Sequence, residues 1–143
     1  MAYFENSRDV YDCIGGLFDW AGTQKELAEK YRATGMIIRL TYTDPEAVLT
    51  IDCKNPPKRK GVLIDWTEGK SDLKADVEFS MKTDVAHRFW LGKVNLLVAL
   101  TKRDVVAKGP IFKVMKLLPL LKPLYGRYPG ILEEKGRAEL VDA

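Results

Sequence analysis

Between Met36 and Met81 the chain repeats its apolar residues at every second position, in four short segments, and few folds accept that pattern. The segments are Met36–Thr43, Glu46–Cys53, Gly61–Glu68 and Lys74–Met81. Side chains of a strand alternate sides, so each segment splits into two faces. One face collects Ile38, Leu40 and Tyr42, then Leu49, Ile51 and Cys53, then Val62, Ile64 and Trp66, then Ala75, Val77, Phe79 and Met81. The other collects Arg39, Thr41, Thr50, Asp52, Asp65, Thr67, Asp76, Glu78 and Ser80. A sheet with one covered and one solvated face is the expectation. Asp44-Pro45 and Glu68–Asp72 read as turns, which predicts that the first two segments, and the last two, pair as antiparallel hairpins.

On either side of this block the period lengthens to that of a helix. Arg8–Trp20 reads as a helix weakened by Gly15 and Gly16, and Thr23–Glu26 as a capping box opening a second helix that Gly35 stops. Thr83 is read as the cap of a helix over DVAHRFWL, and Asn95 as the start of a further helical piece through Leu100. Asp104–Gly109 reads as a fifth strand, after which Pro110 opens a last helix. The run KNPPKRKG, Lys54–Gly61, suits an exposed turn. With no repeat and no low-complexity linker, 143 residues fit one domain, 1–143, with one core.

The longest uncharged apolar runs, Asn95–Thr101 and Leu117–Leu121, are far short of the ~20 residues that cross a bilayer. The start MAYFENSRDVYDC lacks a basic segment followed by an apolar stretch, so no secretory signal is expected. Only two cysteines occur, Cys13 and Cys53, and no C-x-x-C, which indicates neither a disulfide framework nor a thiolate metal site. A cytoplasmic location is the expectation.

Catalysis finds little footing. General acid–base chemistry needs a carboxylate or imidazole held in a cavity, whereas Asp52, Asp65, Asp76 and Glu78 all fall on the solvated face. His87, the one histidine, lies one position off the face carrying Val85 and Phe89 and is read as a surface residue. GxGxxG, P-loop and GxSxG motifs are absent, so no cofactor, catalytic residue or metal site is expected. Tyr42 and Trp66 put polar tips on the apolar face, for a ligand head group or for a partner within the core.

The segment GPIFKVMKLLPLLKPLYGR, Gly109–Arg127, is apolar nearly all round. At ~100° per residue, Ile111, Val114, Met115, Leu118 and Leu121 form a stripe able to cover the sheet. Leu117 and Leu120 fall opposite, beside Lys113 and Lys116. Pro119 removes a helical hydrogen bond, so a kink or an end is expected there. Either the Tyr125–Leu132 tail folds back over Leu117 and Leu120, or the segment is a greasy lid whose lysines snorkel towards anionic head groups.

Three stretches, FSMKTDVAHRFWLGKVNLLVAL, VVAKG and KVMKLLPLLKPL, resemble the sterol carrier protein 2 family of small lipid-binding domains. The resemblance spans about Met36–Leu124 and is most specific at Phe89–Asn95 and Leu117–Leu124. It implies an α+β fold in which a five-stranded, mainly antiparallel sheet, covered on one face by helices, encloses an apolar tunnel. It also implies a non-catalytic carrier of fatty acids, acyl-CoA esters, sterols or phospholipids. The chain departs from the family's usual pattern at Lys102-Arg103, where a glycine commonly opens the last strand, and at Pro110, where an acidic residue is common.

The leading expectation is therefore a lipid lying between the apolar sheet face and the helices at Asp84–Leu91 and Gly109–Leu121. Its wall would comprise Ile38, Leu40, Leu49, Ile51, Ile64, Trp66, Phe79, Phe89, Trp90, Met115 and Leu118. Transient membrane contact is expected through Lys113, Lys116, Leu117 and Leu120. The alternatives are an interaction or homodimerisation module using the Leu117/Leu120 face, and a small cavity enzyme using Tyr42 or a carboxylate turned inward by a bulge at Asp52 or Asp65. Nucleic-acid binding is not expected, because the basic residues near the end are interleaved with leucines.

Overall fold

The alternating block does form a sheet. A computed structural model describes residues 2–143. Two helices come first, α1 (Ser7–Thr23) and α2 (Lys25–Thr34), followed by β1 (Ile37–Thr43), β2 (Ala47–Asp52), β3 (Asp65–Glu68) and β4 (Val77–Lys82). Then come α3 (Thr83–Trp90), α4 (Leu96–Lys102), β5 (Val105–Lys108), the long α5 (Ile111–Glu134) and a 3₁₀ turn at Ala138–Leu140.

The strand order is β3-β2-β1-β4-β5. The expected first hairpin is present, with Ile38 opposite Ile51 and Leu40 opposite Leu49. The expected second hairpin is not. β3 pairs antiparallel with β2, Trp66 facing Ile51, while β4 lies parallel to β1 with Leu40 beside Phe79. β5 closes the far edge antiparallel to β4. The sheet is thus mixed, although three of its four pairings are antiparallel. The β3–β4 connection crosses back instead of turning: its Leu73 carbonyl accepts from the Arg39 guanidinium on the solvated face, and Asp76 takes both its backbone and its side-chain bonds to Ile37.

The inner face of the sheet is as apolar as the alternation requires, whereas the outer face is not solvated throughout, since Thr50, expected there in solvent, is buried, as is Ile37. Ile38, Leu40, Tyr42, Leu49, Ile51, Val77, Phe79 and Met81 are buried beneath the helices. α1 seals the β2–β3 half. Gly15 sits so close to the Trp66 indole that a Cβ there would meet its ring carbon at 2.3 Å, and the Tyr11 hydroxyl accepts from the Val48 amide at 3.1 Å. The Lys54–Gly61 turn is pinned to this corner by Arg59, which pairs with Asp19 at 3.0 Å and Asp65 at 2.7 Å.

Several local expectations need correction. Thr23 belongs to α1, its hydroxyl donating to the Trp20 carbonyl, and Gln24 precedes α2 without a side-chain cap, so the capping box does not form. Gly35 ends α2 in the left-handed region at φ 64°. Thr83 is the first residue of α3 and donates to the Pro45 carbonyl at 2.8 Å, while Asn95 does cap α4, accepting from the Val98 amide. α5 neither stops at Pro119 nor folds back: it runs 24 residues through Pro119, Pro123 and Pro129. Its buried face is Val114, Leu117, Leu124, Tyr128, Ile131 and Leu132. Leu117 is therefore inward, not on the free side, and Ile111 and Met115 are outward.

His87 is the largest correction. It is fully buried, with Nδ1 2.8 Å from the Tyr128 hydroxyl and Nε2 2.8 Å from the Leu140 carbonyl. The rings of Tyr3 and Phe4 pack against it. Its two nitrogens tie α3 to α5 and to the C-terminal 3₁₀ turn.

Candidate functional site

Between β2, β1, β4 and the helices that cover them, the apolar face is incompletely filled. A cavity of about 40 Å³ lies there, lined by Phe18, Tyr31, Ile38, Leu40, Ile51, Phe79, Met81, Phe89, Trp90, Leu96, Leu117 and Leu121. That volume holds a water-sized molecule or a few methylenes. Ligand pockets for molecules of drug size run to about 300 Å³ or more.

Of the wall expected from the sequence, Ile38, Leu40, Ile51, Phe79, Phe89 and Trp90 line this space. Leu49 and Ile64 are buried elsewhere, Trp66 lies under α1, Leu118 is half-buried off the cavity, and Met115 faces solvent. Phe18, Tyr31, Met81, Leu96, Leu117 and Leu121 complete the lining without having been expected there. Val114 and Leu121 of the expected stripe do turn inward, but Leu117 takes the place there of Ile111, Met115 and Leu118. Phe18 and Tyr31 carried a sequence signal only as core positions of α1 and α2.

No free hydrogen-bonding side-chain group faces the cavity among the described residues. The Tyr31 hydroxyl donates to the Leu120 carbonyl at 2.8 Å, and the Trp90 indole N–H donates to the Tyr42 hydroxyl at 3.1 Å. Burial pushes both phenols well above the ordinary tyrosine range, so neither serves as a base near neutrality. Trp66 uses its N–H on Asp19 at 2.6 Å. Phe89 stacks edge-on with Trp90 and Tyr125, at centroid separations of 5.0 and 5.5 Å, and Phe18 meets Trp90 in the same manner at 5.6 Å. Edge-to-face aromatic contacts hold that side of the wall together.

The carboxylates point away, as the strand phase requires. Burial opposes the ionisation of Asp52, but bonds from the Asn55 and Lys54 amides and the Asn55 side chain outweigh it and hold the group below its usual range. Burial likewise opposes, and Arg59 and the Lys58 amide override, in the case of Asp65. Asp76 is held low by the Ile37 amide, with Lys113 at 3.1 Å adding to it. Glu78 accepts from the Thr41 hydroxyl on the outer face. These groups hold turns and neighbouring strands together; none touches the cavity. Among the described residues no cluster of three histidines, cysteines or carboxylates could hold a metal ion.

Residues 19–122 match the model of the SCP-2 sterol transfer family. The chain belongs to that family. Membership supports binding and transfer of a lipid or sterol in general terms. Among solved structures, apo sterol carrier protein 2 from Yarrowia lipolytica shares 21% identity at a TM-score of 0.58, over 81% of this chain and 89% of that one. The sterol carrier protein domain of Helicoverpa armigera shares 18% identity at a TM-score of 0.60, over 87% and 97% of the two chains. An SCP2-type ubiquinone synthesis protein, UbiJ, shares 14% at 0.58, over 85% and 95%. At such identities these likenesses show a common fold. No curated protein matches by sequence.

Proposed function

We propose that this SCP-2 family member is a non-catalytic carrier whose cavity opens to take an acyl chain or a sterol-like body between β1, β4 and the helices α3, α4 and α5. The observation that carries this reading is the wall itself: twelve residues line the cavity, and none offers an unspent polar group. Such a wall favours hydrocarbon and cannot recognise a head group, which would stay at the mouth. Sixteen methylenes at ~0.8 kcal/mol each exceed the ~8 kcal/mol of micromolar binding, leaving a few kcal/mol to open the chamber and order the ligand.

Opening belongs to α5. Pro119 and Pro123 leave the Met115 and Pro119 carbonyls without their helical donors, in the same turns that carry the roof residues Leu117 and Leu121. A helix so interrupted yields at that point with fewer bonds to break. Ligand selection then depends on length and girth, and loading takes place at a membrane surface or from a partner that delivers lipid. The buried, unpaired Cys13 and Cys53, with thiols pushed up to about 11 and about 12 by burial, support a reducing compartment such as the cytoplasm. One domain over residues 1–143 is part of the same reading.

The small volume favours one other reading, a filled core in a protein that acts through its surface. Titration with cis-parinaric acid separates the two. A carrier gives saturable fluorescence with energy transfer from Trp90, competed by palmitate. A filled core gives no saturable signal.

A further inference from the structure

The two helices that roof the cavity are apolar on their outer sides too. α4 turns Leu96 inward and leaves Leu97 and Val98 exposed; α5 turns Leu117 and Leu121 inward and leaves Ile111 67%, Phe112 58% and Met115 47% exposed. Elsewhere among the described residues only Leu63 and Val106 are large apolar side chains of comparable exposure. A shallow groove runs along α4 between Leu97, Val98, Thr101 and Lys102.

Charge gathers in the same stretch. From Leu96 to Lys122 the sequence holds Lys102, Arg103, Lys108, Lys113, Lys116 and Lys122 against the single carboxylate Asp104, whereas the whole chain carries a net +3. The remainder is therefore net negative, and the molecule is polarised towards this end. Lys113 is held by Asp76, but Lys102, Arg103, Lys108 and Lys116 have no ion pair among the described residues. The Lys116 ammonium lies 5.8 Å above the Phe112 ring, an arrangement in which both side chains project together.

Resting on the carrier reading, we propose that the outer side of α4 and the first two turns of α5 dock on an anionic lipid surface. The apolar side chains would enter the head-group boundary while the lysines, on their long stems, meet lipid phosphates. A second copy of the chain fits this face poorly, because a two-fold contact sets the cationic cluster against itself. The surface differs from the one legible in sequence, since Leu117 is committed to the cavity. It also places the roof, with its two prolines, directly against the source of ligand.

Co-sedimentation of the full chain with vesicles tests this. Phosphatidylcholine vesicles in which about a third of the lipid is phosphatidylserine should carry the protein down, and pure phosphatidylcholine vesicles should not, with binding falling as salt is raised. The double variants Phe112→Ser/Met115→Ser and Lys102→Gln/Lys116→Gln alter only exposed or outer positions, so circular dichroism should be unchanged while vesicle affinity drops about tenfold or more. Equal pelleting with both vesicle types, or variants that pellet like the parent, would overturn the proposal. So would a protein that ignores vesicles but dimerises through residues these variants remove. Vesicle-free titration with cis-parinaric acid keeps the two readings apart: variants that lose vesicles but retain the probe leave the carrier standing, and vesicle binding without probe binding sinks the carrier while the docking surface survives.

Discussion

Gly15 weakens α1 as a helix and strengthens it as a wall. Its missing side chain is where the Trp66 indole lies, with ring carbons at 2.3 and 2.6 Å from an added Cβ. The ordinary gain of about 1 kcal/mol from Gly→Ala in a helix is overridden here by overpacking against a large ring. Gly15→Ala should therefore lose about 1–3 kcal/mol in chemical denaturation, the reverse of the propensity scale. His87 makes a similar point about chemistry. Burial lowers its pKa below the usual 6.5, the Leu140 carbonyl and Asp84 oppose that shift, and Lys93 and Arg137 reinforce it. The folded state thus disfavours the proton: stability attributable to this residue is complete above the unfolded value and is lost as pH falls from about 6.5 towards the folded value. Thermal denaturation between pH 7.5 and 5 should show a falling midpoint, and His87→Gln should flatten that slope. Neither residue was legible in sequence. Each role is set by a partner far along the chain, Trp66 for Gly15 and Tyr128 with Leu140 for His87, and helical phase alone put His87 on the wrong side.

At the scale of elements the sheet faces were legible and the pairing only partly so. Alternation decides which side of a strand is apolar, and it did so for Ile38, Leu40, Tyr42, Leu49, Ile51, Val77, Phe79 and Met81, although Ile37 and Thr50 are buried on the opposite phase. It says nothing about which strand lies next door, so the short connection after Glu68 was read as a hairpin although β4 crosses over to lie parallel to β1. α5 shows the limits of phase reckoning in a segment apolar on all sides. With leucines on both faces, the inward stripe is fixed by the helix's C-terminal half, where Leu124, Tyr128 and Ile131 continue Val114, Leu117 and Leu121 at spacings of three and four. The helix is held along that face, and the Tyr31 hydroxyl, donating to the Leu120 carbonyl, ties it to α2. Pro119→Ala returns a donor to the Met115 carbonyl. It should raise stability by about 1–3 kcal/mol and slow uptake of cis-parinaric acid in stopped-flow mixing, if bending at that point admits the ligand. Uptake at an unchanged rate in the stabilised variant would move the entrance elsewhere.

Taken as a whole, the molecule is uneven in two respects. One half of the sheet is sealed by α1 with aromatic and salt-bridged contacts; the other is roofed by α4 and α5 over an unfilled apolar space, and the outer side of that roof is apolar and basic. The candidate wall was half legible in sequence, because strand residues could be assigned to a face while helix residues could not be assigned to the cavity or to solvent. Native mass spectrometry of freshly purified protein, followed by mass analysis of any molecule released on denaturation, tests the central claim most directly. A single apolar molecule bound to the chain, or a stoichiometric mass shift on adding fatty acid, is the predicted result. A bare mass that no fatty acid, acyl-CoA or sterol shifts would contradict the account and leave the cavity as a packing defect in a filled core.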